Sequence, residues 1–575
     1  MFNITGSCGS EGFTSGHAVV KKNPVPTVEK YTVADPEAEI LRFRDAQARY
    51  DGELSRLCQA SGLHKAEVEI LQAYRVILHD EVFFAQALQL IQEDRLNAEY
   101  AILKTQQATE AVFKKLDDAY LQERLTDIQN VCTALIRTLQ QVEEDFAERI
   151  AGTDDAIIVA EDLTPEETIK LDKKKLRGFI LERGGVTSHV VILARLLGIP
   201  AVIGVRDATS LIPPGSHLLM NAEAGKVYVS PDERTLDTFA GQMQAAQKLK
   251  SERDTDAKKI ALTRDGICVP VLVNAGSMES ITAFDPLCCD GIGLLRTEFL
   301  YMGRDGYPDE EAQFQAYKLA AEVTAGKLLI IRTLDIGSDK QLQYMQLPPE
   351  DNPALGYRAI RVCLDRNEMF QAQLKAILRA SVYGKVKIMF PMITTLEELW
   401  QAKAQLEAAK ADLDAANICY NPGLEVGIMI ETPAAVMLSD RLARECDFFS
   451  VGSNDLIQYT MAADRTNIKV NYLYNECNVS VLRMIHLVAQ NAGNAQIPWG
   501  ICGEVAANEL LIPLWLAWSV SELSVSPSRI GQVKHIIHGC SVEALRQQAD
   551  DVLSCATSAE VKERLAGLPW EKEYI

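Results

Sequence analysis

Two groups of residues in this chain have the types and spacing to do chemistry. The first is Gly184-Gly185-Val186-Thr187-Ser188-His189, a glycine-rich turn that carries two hydroxyls and a histidine into the helical-looking run from Val190 to Leu197. Free backbone N–H groups at a helix start attract anions, hydroxyls add donors, and an imidazole with an ordinary pKa of about 6.5 is a neutral nucleophile near pH 7. Alone, the hexapeptide fits either a phosphate-handling corner or a tight turn whose histidine caps or packs. The second group is spread downstream. Arg296 and Arg332 each follow a short apolar run and offer forked donors that match carboxylate and phosphate oxygens. Glu431 and Asp455 are two hard oxygen ligands, too few to cage a metal without water and substrate, which is how magnesium is commonly held. Cys502 ends the run Trp499-Gly500-Ile501. A thiol there is by default a small core residue, yet its ordinary pKa of about 8.5 lets it hold a proton at neutral pH and yield it to a carbanion. Taken singly, either arginine also fits a rim salt bridge, and the two carboxylates also fit pairing to nearby arginines.

These residues need elements to position them. Beyond Ala261 eight short apolar runs alternate with longer amphipathic stretches: Val271 to Val273, Gly291 to Leu295, Leu328 to Ile331, Ile388 to Phe390, Val426 to Ile430, Phe448 to Val451, Trp499 to Ile501 and Leu523 to Val525. Eight strands with helical crossovers predict a C-terminal (β/α)8 barrel. Asn274, Arg296, Arg332, Glu431, Asn454, Asp455 and Cys502 would then stand at its C-terminal rim, where such barrels carry active sites. Upstream, Ala156 to Ala160, Phe179 to Leu181, Ala201 to Ile203 and a hairpin from Leu218 to Val229 predict a small α/β unit around the glycine-histidine corner. Between them and the opening lies a stretch rich in Ala, Leu, Glu and Gln, with glycine only at Gly52 and Gly62. Val82, Phe83, Ala87, Leu90 and Ile91 recur there at helical spacing, which predicts a helical bundle whose stripe is core. Glu233 to Lys259 reads as a helical linker.

Length and charge narrow the class. At 575 residues the chain exceeds what one hydrophobic core fills, and 47% hydrophobic with 24% charged residues is ordinary globular composition. A net charge of -21 disfavours nucleic acid and acidic membrane surfaces, so a small anionic substrate needs arginines gathered locally. The thirteen cysteines are scattered, include the neighbours Cys288 and Cys289, and form no C-x-x-C; reduced thiols of a cytoplasmic protein are expected. The opening residues have no basic segment followed by an apolar one, and Leu510 to Val520 is too short to span a bilayer.

Gly293-Leu294-Leu295-Arg296-Thr297-Glu298, Arg332-Thr333-Leu334-Asp335-Ile336-Gly337, Glu431-Thr432-Pro433-Ala434, Gly452-Ser453-Asn454-Asp455-Leu456 and Cys502-Gly503-Glu504 follow in that order. Together they resemble the Enzyme I family, the phosphoenolpyruvate-protein phosphotransferases that start the bacterial sugar phosphotransferase system. The resemblance runs from about Gly12 to the last turns of the chain and is strongest between Gly291 and Glu504. It implies a swivelling α/β phosphohistidine domain (1–30 and 148–232) with the helical bundle (31–147) inserted as a carrier-binding domain, the linker (233–260), and a phosphoenolpyruvate-binding barrel (261–575). It implies that His189 accepts the phosphoryl group through Nε2, with Thr168 a candidate partner for the other ring nitrogen, and that Cys502 protonates the enolate carbon to give pyruvate. By the same resemblance Arg296, Arg332, Arg358, Asn454, Asp455 and Arg465 bind substrate with Lys340 a further contact, and Glu431 and Asp455 hold Mg2+. The next recipient would be a histidine on an HPr-like carrier, and the barrel would form a homodimer. The alternatives are a dikinase-like enzyme, which needs a nucleotide-binding domain, and a catalytically silent paralogue that senses phosphoenolpyruvate or pyruvate. The chain departs from the family where Gly337-Ser338 replaces the usual glycine pair. It departs again where Tyr74 stands in place of a histidine on the carrier-facing surface, in Tyr474 to Ser480, which lacks the usual prolines, and in Gly9-Ser10-Glu11-Gly12.

Overall fold

The computed structural model describes the chain except for residues 22–27, 60–64, 114–118, 142–145, 186–187, 338–341, 466, 468 and 570–575. It divides into two compact units, Met1–Gln247 and Lys248–Ile575.

The first unit is built on an eight-stranded sheet: β1 (Phe2–Thr5), β2 (Ser7–Ser10), β3 (Phe13–Lys21), β4 (Ala156–Ala160), β5 (Leu176–Leu181), β6 (Ala201–Ile203), β7 (His217–Asn221) and β8 (Lys226–Val229). Their spatial order is β1-β8-β7-β3-β4-β5-β6-β2. The centre, β3 to β6, is parallel, and β4 is buried along its whole length, as a strand covered on both faces must be. The expected hairpin is β7-β8. Two strands, β1 and β2, precede the one anticipated at Gly12; their sequences, FNIT and SCGS, are too short and polar to announce themselves.

Between β3 and β4 the chain inserts the helices Pro36–Cys58, Lys65–Leu78, Glu81–Gln92, Ala98–Phe113 and Ala119–Gln140. Asp35 and Asp80 begin two of them by accepting first-turn N–H groups, Asp35 from Glu37 and Ala38, Asp80 from Val82 and Phe83. The predicted stripe is largely core: Ala87 and Ile91 are buried, with Phe83 and Leu90 packed against them. Val82 is the exception, 86% exposed, because the inward face of this helix runs through Phe84, Ala87 and Ile91. Tyr74 also corrects expectation. It is 1% exposed, inside the bundle rather than on its surface, and its hydroxyl accepts from Asn130 Nδ2 at 2.9 Å. A buried phenol needs such a partner, and Asn130 supplies it. The predicted linker is a single helix, Glu233–Ala257.

The second unit contains eight parallel strands: β9 (Val271–Ala275), β10 (Gly291–Leu295), β11 (Leu328–Arg332), β12 (Lys385–Phe390), β13 (Glu425–Ile430), β14 (Phe448–Gly452), β15 (Trp499–Cys502) and β16 (Glu522–Val525). They close into a barrel in sequence order, β16 returning to β9. Each of the eight apolar runs named beyond Ala261 lies in one of these strands. Leu294, Ile330, Met389, Met429, Phe448 and Cys502 fill the interior, while outward residues such as Ile292, Ile331 and Ile388 pack under the helices. All thirteen cysteines are free thiols. No helix among the described residues is long and apolar enough to cross a membrane.

Candidate active site

The chemistry-bearing residues of the barrel sit on the last residues of strands or just beyond them. Arg296 follows β10, Arg332 ends β11, Glu431 follows β13, Asn454 and Asp455 open the helix Ser453–Met461 after β14, and Cys502 ends β15. Parallel strands point all these ends the same way, so the fold gathers residues more than 200 positions apart at one rim. With Arg358 and Arg465 they line one cavity of about 1270 Å³. Asn274 lies inside β9, bonded to Ser524, and lines a neighbouring cavity of about 490 Å³ that shares Arg296, Gly503 and Glu504. Lys340 and Ser338 lie outside the described residues.

The arginines are held by carboxylates. Glu298, two residues beyond Arg296, pairs with Arg332 Nη2, while Asp335 meets Arg332 Nη1 at 2.9 Å and Arg358 Nη2 at 2.7 Å. Arg358 Nη2 is also 3.7 Å from Asp455. Charges thus alternate along Glu298, Arg332, Asp335, Arg358 and Asp455. Burial works against the Arg332 cation, but Glu298, Asp335 and Glu431 outweigh it and raise its affinity for the proton further. Behind this row the Gln373 amide accepts from Leu334 N and donates to Thr297 Oγ1, tying the loops after β10 and β11 together. In the sequence Glu298 and Asp335 stand within the motifs of Arg296 and Arg332 with no role of their own. Their spacing, two and three residues beyond an arginine at a strand end, was the available signal.

Glu431 is 1% exposed, and its Oε1 accepts from Met392 N at 2.6 Å. Burial first, then Asp455 and Asp335, push its carboxyl well above the usual carboxylate range. Arg332 and Arg358 pull the other way without offsetting burial and the neighbouring carboxylates. Arg332 and Arg358 face Glu298, Asp335, Glu431 and Asp455, and the surplus carboxylates are the oxygen donors that a hard dication takes. No tight group of three His, Cys, Asp or Glu is present among the described residues, so a metal here must also draw on water or substrate oxygens.

Cys502 is 2% exposed, with Sγ 3.4 Å from Val451 O. Burial pushes its thiol up to about 11, with Ser450 and Arg332 pulling the other way. It is therefore a protonated thiol at neutral pH. Gly503 follows at φ +98°, and a Cβ there would stand 2.6 Å from Ser453 Oγ and 3.1 Å from Asn454 Oδ1, so only glycine lets the two loops approach. Asn454 Oδ1 and Arg332 Nε are buried with no hydrogen-bond partner, polar atoms at the cavity that lack protein partners.

In the first unit His189 is the first residue of the helix His189–Leu197, which closes at Gly198 in the left-handed conformation. The helix start is where anions are favoured. Ser188 is its N-cap by position, yet its Oγ makes no cap bond and is buried without a partner. The His189 side chain, Val186 and Thr187 lie outside the described residues. Thr168, the candidate partner, is fully buried and donates to Pro165 O at 2.7 Å, which commits its proton but leaves lone pairs to accept.

Three family models match in succession, all described as PEP-utilising enzyme: the N-terminal part at residues 5–124, the mobile domain at 152–225 and the PEP-binding domain at 250–542. The phosphoenolpyruvate-protein phosphotransferase of Bacillus subtilis (strain 168) is 39% identical over 564 residues, which is 98% of each chain. This chain belongs to the phosphoenolpyruvate-protein phosphotransferase family. Relatives of the same name from Geobacillus stearothermophilus, at 40% identity over 97% of this chain, and Enterococcus faecalis (strain ATCC 700802 / V583), at 38% over 97%, show the same full-length match. The mobile-domain match spans β4 to β7, β3 falls within the N-terminal match, and the PEP-binding match spans the barrel strands β9 to β16.

Proposed function

We propose that this chain takes the phosphoryl group of phosphoenolpyruvate onto His189, passes it to a histidine of an HPr-like carrier to drive sugar phosphorylation, and releases pyruvate. The observation that carries this reading is the single rim cavity that gathers Arg296, Arg332, Arg358, Glu431, Asn454, Asp455 and Cys502.

Arg332 and Arg358, fixed by Glu298 and Asp335, present planar forks to a ligand that bears both a carboxylate and a phosphate. Arg296 and Arg465, both exposed, line the same cavity and add two further cations to it. Glu431 and Asp455 would hold Mg2+, which when bound would neutralise charge developing on the substrate oxygens. Cys502 keeps its proton on Sγ until a carbanion forms above it, and its displaced pKa suits it to hold that proton rather than leak it to water. His189, at a helix start with the Ser188 hydroxyl beside it, accepts and carries the phosphoryl group. Homodimerisation through the barrel and a cytoplasmic site of action belong to the same reading. A silent sensor would not need an acid such as Cys502, and every central position of the family's motifs is filled.

Purified chain incubated with labelled phosphoenolpyruvate, magnesium and a panel of HPr-like proteins tests the reading directly. His189→Ala should lose all acid-labile labelling while still binding phosphoenolpyruvate. Stable labelling at another residue of that variant would overturn the assignment.

A further inference from the structure

Asp455 and Tyr459 stand four residues apart on the helix Ser453–Met461, one turn apart on the same face. Both reach Arg358. Asp455 lies 3.7 Å from Nη2, and the Tyr459 hydroxyl accepts from Nη1 at 3.2 Å. Asp335 takes Nε at 3.2 Å and Nη2 at 2.7 Å, so every nitrogen of the guanidinium has a protein partner. The Tyr459 hydroxyl spends its own proton on Ala354 O at 2.5 Å, in the short turn Pro353–Leu355. Tyr459 Oη also lies 3.8 Å from Met392 Sδ, and the Met392 backbone holds Glu431. Burial pushes the Tyr459 phenol up to about 12, only partly offset by Arg358, so the hydroxyl keeps both its roles at neutral pH.

A long cationic side chain that must meet a phosphate in one orientation loses rotamer freedom on binding unless the protein has already fixed it. The carboxylates of Asp335 and Asp455 attract Arg358, but they are also anions that an incoming phosphate must displace or share. Tyr459 is the neutral member of the set. It grips the Nη1 end without competing in charge, and it anchors that grip to a backbone carbonyl at the cavity mouth.

We propose that Tyr459 is a positioning residue for phosphoryl transfer, locking the Arg358 fork against the turn Pro353–Leu355 so that the guanidinium meets the phosphate of the substrate already oriented. This rests on the reading of the cavity as the phosphoenolpyruvate site. The measurement is a double-mutant cycle on the full chain with Tyr459→Phe, Arg358→Ala and the pair, following pyruvate formation with an HPr-like carrier and phosphoenolpyruvate binding by calorimetry. Tyr459→Phe should raise KM and the dissociation constant about tenfold, the size expected for a hydrogen bond to a charged group, with kcat changed by less than about threefold. Its melting temperature should stay within about 2 °C of the parent. In the Arg358→Ala background the same change should cost less than about twofold, because the group it acts through is gone. Unchanged binding in Tyr459→Phe would overturn the proposal. So would a full tenfold penalty that persists without Arg358, since the hydroxyl would then act through the turn alone. Failure of the parent chain itself to make pyruvate would instead overturn the reading of the cavity.

Discussion

The barrel rim and the junction around the helix Pro165–Ile169 both bury carboxylates, and they compensate them in different ways. At the rim Glu298 and Asp335 are matched by Arg332 and Arg358, while Glu431 and Asp455 are left in excess. At the junction Glu167 pairs with the buried Lys21, and its neighbour Glu166 is met by the Tyr50 hydroxyl, a neutral partner. Leaving a buried charge unmatched costs several kcal/mol, so each region must settle its remainder. At the junction a proton can do so, because burial lifts the Glu166 carboxyl to about 7 even though Tyr50 pulls it back. At the rim the excess opens into a large cavity beside orphaned Asn454 and Arg332 atoms, which suits a dication and an anionic ligand arriving together. Burial raises Glu431 as it raises Glu166, but Glu431 faces an open cavity where a dication can take the proton's place. Glu166 is met by the Tyr50 hydroxyl and has the proton to settle its charge.

Separating the two regions is the harshest test of this contrast. A fragment ending within the helix Glu233–Ala257 keeps His189 and loses every residue assigned to phosphoenolpyruvate. Mixed with a phosphorylated HPr-like carrier it should label His189, whereas phosphoenolpyruvate and magnesium should give no label at all. Direct labelling of the folded fragment by phosphoenolpyruvate would place the donor site in the wrong unit. A smaller effect is expected from Cys502→Ala, which removes the rim's stored proton but leaves its charge balance intact. Phosphoenolpyruvate binding should survive while pyruvate release slows by about 10² to 10⁴-fold, the usual worth of general acid catalysis. Pyruvate formation at the parent rate would return Cys502 to the role of a core residue.

The same contrast explains what could be read in the sequence. The barrel was legible because each strand is a short apolar run buried along most of its length, and the rim residues follow directly from the strand ends. Glu298 and Asp335 carry only the faint signal of a carboxylate two or three residues beyond a strand-end arginine, and Tyr459 carries none, because their partners include residues 34, 23 and 101 positions away. β1 and β2 escaped because four-residue strands such as SCGS carry no alternation to detect. Tyr74 was misplaced because a single tyrosine in an apolar helix fits a wet face or a buried one equally well until Asn130 is seen to receive it.

The smallest effect belongs to the seam. The Glu166 carboxyl sits at about 7 in the folded unit, raised by burial, and near 4.3 in an unfolded chain. A carboxyl whose folded pKa is raised binds more protons folded than unfolded, so its contribution is fully present below about pH 4.3 and is lost as pH rises toward 7. Lys170 opposes the shift and Glu53 and Glu167 add to it, so the balance is electrostatic as well as a matter of burial. Because Glu166 keeps some solvent contact, the loss between pH 5 and 8 is discounted to about 1–2 kcal/mol. Glu166→Gln keeps an acceptor for Tyr50 and cannot ionise. Denaturant unfolding of the same fragment, which avoids overlap with the barrel's transition, should show the parent losing about that much stability relative to Glu166→Gln from pH 5 to pH 8. Parallel pH profiles for the two proteins would mean that Glu166 is ionised throughout, and the seam would then have to be matched by charge, as the inner pairs of the rim are.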